Sequence, residues 1–349
     1  MIIDETVKSP ILDGFVKCSN SRRANFAIMR RTYRTLNDCK MQHNAEVGLF
    51  TKPSRLKRVY MKYLYYPGCS LEGTALEYNA STRAFMQELG EELIELEDWT
   101  CCGASAAEAT SHLLSLALPA LVLAKAENMD GFKEILVPCS ACYLNLKKVE
   151  EKIRKDSELL EKINIILAEE KLNLRGQLRV RHLLDVVAND VGPQKIFARV
   201  KKPFTDLIVA PYYGCQCLRP YYIFDDPEDP RSMEGVIKAA GANIHQWNMA
   251  GRCCGASHMT TKPEVALELV AAILKAARGA DAIITVCPMC QMNLEAYQKK
   301  ISGMCKEDLT MPVLYLPQFL GLALGLSEQD LRLDLNLSIT QAFRNKLLS

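Results

Sequence analysis

The sequence lacks the features that would place it across a membrane or direct it out of the cell. It contains no stretch of about 18 uncharged apolar residues, the length that a transmembrane helix needs. The longest candidate, residues 113–124, is interrupted by Ser115 and Pro119. Residues 1–20 have no continuous apolar core of the kind found in signal peptides. We therefore expect no transmembrane segment and a cytoplasmic protein whose thiols stay reduced.

An excess of charge of one sign is also missing. The 43 Lys and Arg residues nearly balance the 41 Asp and Glu residues, so no strong global field would attract nucleic acid. The exception is residues 1–60, which carry 12 basic and 5 acidic residues. We interpret them as a basic N-terminal extension, flexible or partner-docking, with a predicted helix around residues 26–36.

Histidine and tryptophan are scarce, with 5 and 2 residues, whereas cysteine is abundant, with 14. In a reducing compartment, clustered cysteines indicate metal ligands or redox sites. Ten of them form one pattern that occurs twice, made of a single Cys, an adjacent Cys-Cys pair and a Cys-x-x-Cys pair. The members are Cys69, Cys101, Cys102, Cys139 and Cys142 in the first copy, and Cys215, Cys253, Cys254, Cys287 and Cys290 in the second.

The repeated pattern indicates an internal duplication with a period near 148 residues. The pentapeptide Cys-Cys-Gly-Ala-Ser occurs at 101–105 and again at 253–257. Such a period is too long for a solenoid and predicts two homologous domains. The remaining cysteines are interpreted as small buried hydrophobic residues, although one of them, Cys217, could compete with Cys215 as a ligand. These four are Cys18, Cys39, Cys217 and Cys305.

Predicted strands and helices alternate in the same order in both copies, which is typical of parallel α/β sheets. Strands are predicted at 63–66, 92–96, 135–137, 207–210, 243–247, 282–286 and 313–316, and helices at 74–89, 105–128, 233–240 and 263–278. We expect Pro119 to kink or shorten the second helix, and the charged stretch 147–171 to be a solvated connecting helix. Each cysteine of the pattern follows a strand or begins a helix, and ligands of α/β sheets gather at the carboxyl ends of strands.

Five cysteines per copy favour an iron–sulfur centre. A structural zinc site takes four ligands, often as two Cys-x-x-Cys pairs, and each copy has one such pair and no histidine to complete a site. Adjacent cysteine side chains diverge, which suits two iron atoms of one cluster better than a single ion. Zinc and redox dithiols remain the alternatives.

These motifs resemble those of the heterodisulfide reductase B-subunit family, whose members have two cysteine-rich CCG domains. The similarity covers residues 61–320 and includes Tyr-Tyr-Pro-Gly-Cys-Ser at 65–70, Pro-Cys-x-x-Cys-Tyr at 138–143, Gly-Cys-x-x-x-Arg-Pro at 214–220 and Asp-Asp-Pro at 225–227. It implies an α/β fold with two homologous CCG domains in tandem. The expected parts are the basic N-terminal extension (1–60), a first CCG domain (61–150), a helical connector (151–200), a second CCG domain (201–325) and a C-terminal tail (326–349).

The resemblance also implies a function as the catalytic component of an oxidoreductase complex acting on sulfur groups. Each five-cysteine set would hold a non-cubane [4Fe–4S] cluster, and a disulfide of the CoM-S-S-CoB type known from methanogenesis would be reduced or formed between the two clusters. Electrons would come from the flavin subunit of the complex through its ferredoxin-like iron–sulfur subunit. The alternatives are a heterodisulfide reductase-like component of sulfur oxidation that acts on carrier-bound sulfur, and an electron-transfer component without its own substrate.

Two further residues are candidates for handling a substrate. Arg219 lies four residues after Cys215, and His258 lies four residues after Cys254. Either could orient a substrate or donate a proton near a cluster, although a surface arginine and a helix-start histidine are equally consistent with the pattern. His112 and His245 are weaker candidates.

Overall fold

Two parallel four-stranded sheets form the framework of residues 61–348, the part of the chain that the computed structural model describes. The predicted extension, its helix at 26–36, Cys18 and Cys39 lie outside the described residues. The first sheet has the order β2-β1-β3-β4 and the second the order β6-β5-β7-β8. The strands are β1 (Lys62–Tyr65), β2 (Glu92–Glu95), β3 (Glu134–Val137), β4 (Arg179–His182), β5 (Ile208–Tyr212), β6 (Asn243–Ile244), β7 (Ala282–Thr285) and β8 (Val313–Tyr315). The identical strand order confirms the predicted tandem of homologous α/β domains.

Helices connect the strands in both halves. The first half contains α1 (Gly68–Leu71), α2 (Leu76–Glu88), α3 (Ala104–Thr110), α4 (His112–Glu127), α5 (Ser140–Ile153), α6 (Ser157–Leu167), α7 (Leu183–Asp185) and α8 (Gly192–Phe197). The second half contains α9 (Ser232–Ala239), α10 (Pro263–Ala276), α11 (Pro288–Ala296), α12 (Gln298–Cys305), α13 (Leu316–Ala323) and α14 (Gln341–Leu348). Within residues 61–348 we find no helix that is long and apolar enough to cross a membrane.

The central strands are buried because helices cover both faces of each sheet. In β3, Ile135, Leu136 and Val137 are buried, and in β7 all four residues are buried. Strands covered on both faces read as continuous apolar runs, which is why these two were recognisable in the sequence.

The predicted helix at 105–128 is two helices, and the break does not lie at Pro119. Ser111 between α3 and α4 has an extended backbone, and its side chain accepts a hydrogen bond from the Leu114 N–H at 3.4 Å. Serine favours this capping geometry, so the chain restarts a helix there. Pro119 lies within α4.

The charged stretch 147–171 is not one solvated helix. It comprises the end of α5, all of α6 and a short 3-10 turn, Ala168–Glu170. Lys147 is buried in it, with its ammonium group 2.9 Å from Glu150. After this stretch the chain adds β4 to the first sheet, in parallel register with β3. The C-terminal helix α14 also packs against the hydrophobic core, since its residues Phe343 and Leu347 are buried.

Arg181 is a buried cation in β4 that holds the edge of the first sheet. Its guanidinium lies 2.5 Å from Asp185, 3.0 Å from Asp190 and 3.1 Å from Glu134. Burial opposes ionisation of Asp185, but the hydrogen bonds from Arg181 and Asn189 outweigh it and lower the pKa of this carboxyl group. The charge is tolerated in the sheet because it is fully paired.

We expect Arg181→Met to lower the free energy of unfolding by about 3–5 kcal/mol, because Asp185 would be left buried without its cation. The measurement is urea denaturation of the purified protein. The control is Arg179→Met on the same strand, because the Arg179 side chain is 54% exposed and lies 3.4 Å from Glu134. An exposed pair is worth at most about 1 kcal/mol. Equal effects of the two variants would contradict the assigned role of Arg181.

Candidate metal centres

The two sets of five cysteines lie at the carboxyl edges of the two sheets. In the first half, Cys69 lies in α1 directly after β1, and the Cys101-Cys102 pair precedes α3. Cys139 is the N-cap of α5, and Cys142 lies in the first turn of that helix. In the second half, Cys215 follows β5, the Cys253-Cys254 pair precedes a 3-10 turn, Ala256–His258, and Cys287 is the N-cap of α11. The loops converge because all strands of a parallel sheet end on the same side.

The first centre is the group Cys69, Cys101, Cys102, Cys139 and Cys142. Its sulfur atoms form close pairs, with 3.6 Å between Cys69 and Cys101 and 3.3 Å between Cys102 and Cys142. The Gly103 N–H donates a hydrogen bond to the Cys101 sulfur at 3.4 Å. The pKa of Cys142 is raised by its hydrogen bond with Cys102 and then by that with Cys139. The contact between Cys142 and Cys102 connects the Cys-x-x-Cys pair to the Cys101-Cys102 pair.

The second centre is the group Cys215, Cys253, Cys254, Cys287 and Cys290. The sulfurs of Cys254 and Cys290 lie 3.6 Å apart, and the Gly255 N–H donates to the Cys253 sulfur at 3.3 Å. A hydrogen bond from Cys215 is the largest cause that lowers the pKa of Cys253 to about 6. A hydrogen bond from Cys290 likewise lowers the pKa of Cys287 to about 7. The structure therefore brings together all five predicted cysteines in each half.

The shortest sulfur–sulfur distances join the cysteines of each centre in neighbouring pairs. Across residues 61–348, no three His, Cys, Asp or Glu side chains converge as the ligands of a single metal ion.

Two glycines leave room for the sulfur atoms. Gly68 has a φ of +72°, and a Cβ atom on it would lie 2.7 Å from the sulfur of Cys142. Gly214 has a φ of +70°, and a Cβ atom on it would lie 2.8 Å from the sulfur of Cys290. Both the backbone conformation and the space exclude a side chain at these positions.

Two asparagines, which we did not predict from the sequence, support the adjacent cysteine pairs. The amide of Asn145 donates to the carbonyl oxygen of Cys102 at 3.2 Å, and the amide of Asn293 donates to that of Cys254 at 2.7 Å. Each links a Cys-x-x-Cys helix to a Cys-Cys loop in its own half. The signal was present in the sequence, because Cys-x-x-Cys-x-x-Asn occurs in both copies.

Two buried tyrosines, also not predicted, play matching roles beside the two centres. The Tyr66 hydroxyl donates to the carbonyl oxygen of Thr100 at 2.8 Å, and the Tyr212 hydroxyl donates to that of Arg252 at 2.7 Å. Burial and then the neighbouring thiols raise the pKa of both tyrosines. Each tyrosine lies three residues before the first cysteine of its centre and fixes the backbone just before the adjacent pair.

The two halves meet at Tyr78, a fully buried residue of α2. Its hydroxyl lies 3.1 Å from the carbonyl oxygen of Pro138 and 3.1 Å from that of Val286. These residues immediately precede Cys139 and Cys287. The Cys-x-x-Cys loops of the two centres are thus both within hydrogen-bond distance of one hydroxyl group.

Aromatic rings of the two halves also pack against each other. The Tyr78 ring stacks on Tyr315 of the second half, with 4.1 Å between ring centroids. Phe224 lies nine residues after Cys215, as Tyr78 lies nine after Cys69, but Phe224 is in a loop whereas Tyr78 is in α2. Phe224 faces His182 of the first half with nearly parallel rings and 6.1 Å between centroids.

The other candidate residues surround the second centre less closely. Arg219 donates to the carbonyl oxygens of Pro227, at 3.1 Å, and Gly251, so it holds the Asp-Asp-Pro loop. Arg219 and His258 both contribute to the lowered pKa of Cys253, but their roles toward a substrate stay predictions. His245 binds the Ala276 carbonyl oxygen at 2.9 Å.

The remaining weak candidates are not members of the close sulfur pairs described above. His112 is exposed at the start of α4. Cys217 is buried, and its thiol lies 3.4 Å from the Tyr213 carbonyl oxygen, whereas Cys215 pairs with Cys253. Cys305 is half-buried at the end of α12.

Comparisons with known proteins agree with the presence of one cysteine-rich centre in each half. The family model described as CCG: Cysteine-rich domain matches residues 63–147 and 209–295, one match per centre. The chain is 34% identical over 279 residues to the 8-methylmenaquinol:fumarate reductase membrane anchor subunit of Wolinella succinogenes, covering 79% of this chain and 96% of that protein. It is 27% identical to the B subunit of the ferredoxin:CoB-CoM heterodisulfide reductase of Methanosarcina mazei, covering 79% and 93%.

A protein of Archaeoglobus profundus that is described as similar to the heterodisulfide reductase B subunit is 26% identical, with 76% of this chain and 91% of that protein covered. A crystal structure of a hypothetical protein from Helicobacter pylori shares the fold, with a TM-score of 0.66 and 18% identity. That alignment covers 80% of this chain and 52% of the other. The two matched domains and these relatives confirm the resemblance seen in the motifs: the chain belongs to the family of proteins with two cysteine-rich CCG domains that includes the B subunit of heterodisulfide reductase.

Proposed function

We propose that this chain is the iron–sulfur subunit of an oxidoreductase complex in the cytoplasm and that each centre holds one non-cubane [4Fe–4S] cluster on its five cysteines. A small disulfide would be reduced or formed between the two clusters. The observation that carries this proposal is the contact at Tyr78, which brings the Cys-x-x-Cys loops of both centres to one hydroxyl group. Two centres held this close can serve a single substrate.

The residues present fit such a cluster. Five thiols per centre supply soft sulfur donors, and thiolates are the ligands that iron–sulfur clusters take. Gly68 and Gly214 keep side chains out of the space beside the sulfurs. When bound, such a cluster supplies reversible one-electron transfer.

Backbone N–H groups and helix N-termini favour the thiolate form of some cysteines, whereas hydrogen bonds with neighbouring thiols raise the pKa of Cys101 and Cys142. Backbone N–H groups of Gly103 and Gly255 donate to the sulfurs of Cys101 and Cys253. Cys139 and Cys287 lie at the N-termini of α5 and α11, where the helix dipole favours negative charge. Thiolates rather than thiols bind metal, so these contacts prepare both centres for a cluster.

A disulfide substrate fits the number of centres. Its reduction breaks one S–S bond and consumes two electrons and two protons to give two thiols, and the chain offers two one-electron centres. We propose that the electrons arrive from a flavin subunit through a ferredoxin-like iron–sulfur subunit of the same complex. A component of sulfur oxidation, which acts on carrier-bound sulfur, would use the same two centres in the opposite direction.

The second candidate is an electron-transfer component without its own substrate. The 34% identity with the membrane anchor of a reductase named for quinol and fumarate favours it, since that name includes no disulfide. The two candidates share the same clusters and differ in whether a thiol reaches them.

Anaerobic purification followed by metal analysis and EPR tests the proposal. We expect about eight iron atoms and about eight sulfides per chain, and an EPR signal that changes when a small dithiol is added to the oxidised protein. The control is the matching diol, which has nearly the same size but no thiol. An unchanged signal with full iron would select the electron-transfer candidate, and two zinc ions without iron would overturn the proposal.

A further inference from the structure

The duplication is not exact where the two halves touch, and the two hydroxyl groups near the loop before Cys287, those of Ser140 and Tyr78, both come from the first half. Ser140 follows Cys139, whereas Pro288 takes the same place after Cys287. Pro288 has no side-chain hydrogen-bond donor.

Both hydroxyl groups approach the backbone of the second centre. The carbonyl oxygen of Val286, the residue before Cys287, lies 3.2 Å from the Ser140 hydroxyl and 3.1 Å from the Tyr78 hydroxyl. All three residues are buried. Tyr78 has one hydroxyl hydrogen, which the Pro138 and Val286 carbonyl oxygens share, so Ser140 is the hydroxyl that approaches Val286 alone of these two. The low dielectric constant of a buried site strengthens such a contact.

His182 sets the direction of the Ser140 hydroxyl. Nδ1 of His182 accepts the Leu184 N–H at 3.1 Å, so the proton of the neutral ring is on Nε2. Nε2 lies 3.2 Å from the Ser140 oxygen and donates to it. Burial lowers the pKa of His182 to about 3, so the ring stays neutral at physiological pH. The Ser140 hydroxyl hydrogen is therefore free to point at Val286.

We infer that Ser140 is a positioning residue by which the first domain gives the second centre the higher reduction potential of the two. This rests on the proposed function, in which both centres hold clusters. Reduction adds negative charge, and donor hydrogens directed at the loop before Cys287 stabilise that charge. The loop before Cys139 shares Tyr78, but Pro288, which takes the place of Ser140, offers it no hydroxyl. Electrons then pass from the first centre to the second.

The test is a redox titration followed by EPR on the complete protein. We expect Ser140→Ala to lower the equilibrium constant for reduction of the second centre about tenfold, which is about 59 mV for one electron. The first centre should keep its potential. Tyr78→Phe removes the shared hydroxyl and should lower the potentials of both centres, each by less than Ser140→Ala lowers that of the second.

Two further variants make the result interpretable. The signals are assigned with Cys102→Ser and Cys254→Ser, which remove the first and the second centre respectively. Ser115→Ala is the control, because this buried serine donates to the His112 carbonyl oxygen at 2.7 Å within α4 and touches neither centre. We expect no shift in it.

The outcomes separate this inference from the proposed function. The absence of two cluster signals would contradict the proposed function and, with it, this inference. Two signals of which the first-centre one lies higher, or a Ser140→Ala variant that shifts both equally or neither, would overturn the inference and leave the proposed function intact.

Discussion

Cys254→Ser is expected to lower the iron content from about eight to about four atoms per chain and to abolish turnover. Cys254 is buried, its sulfur lies 3.6 Å from that of Cys290, and Asn293 holds its carbonyl oxygen. A serine oxygen is a harder and weaker ligand for iron than a thiolate. The first centre has its own five cysteines, so it should keep its cluster. Iron analysis, sulfide analysis and EPR of the anaerobic variant measure this.

Matched variants test whether the effect belongs to the centre. Cys102→Ser replaces the equivalent cysteine of the first half and should also leave about four iron atoms, with the other EPR signal lost. Cys217→Ser and Cys305→Ser should keep full iron, because Cys217 contacts the Tyr213 carbonyl oxygen and Cys305 is half-buried in α12. Full iron in Cys254→Ser, or half in Cys217→Ser, would contradict the assignment of the second centre.

The fold and the cysteine sets were predictable because the information is local. Each cysteine lies between the end of a strand and the first turn of the helical segment that follows it, and the apolar runs of β3 and β7 mark those strands without any knowledge of the partner elements. The repeat made the cysteine motifs easier to recognise, because each motif is weak on its own but occurs twice. The same comparison would have revealed Asn145 and Asn293.

The contact between the halves was not predictable, because it depends on how the two sheets pack. The sequence around Tyr78 contains no motif that indicates a contact between its hydroxyl and Val286, a residue of the other half. The strand β4 was missed for a different reason. Its sequence, Arg-Val-Arg-His, reads as polar, and Arg181 is buried there only because three carboxylates from different positions pair with it.

Gly68→Ala is expected to remove the first cluster and spare the second. The added Cβ atom would lie 2.7 Å from the sulfur of Cys142, so either the loop or the sulfur must move. Cys142 is buried and cannot move freely, because its sulfur lies 3.3 Å from that of Cys102. We expect about four iron atoms per chain, and the remaining EPR signal should match that of Cys102→Ser.

Gly131→Ala is the control that separates the effect of backbone strain from the effect of contact with the Cys142 sulfur. Gly131 also has a positive φ, +87°, but a Cβ atom there would have no neighbour within 4 Å. An alanine in the left-handed region costs about 1–2 kcal/mol, so both variants should show a lower denaturation midpoint. Since only Gly68 of the two borders a cysteine sulfur, only Gly68→Ala should lose iron. If Gly131→Ala lost as much iron, strain rather than contact with Cys142 would be the cause, and the glycine would have no specific place in the first centre.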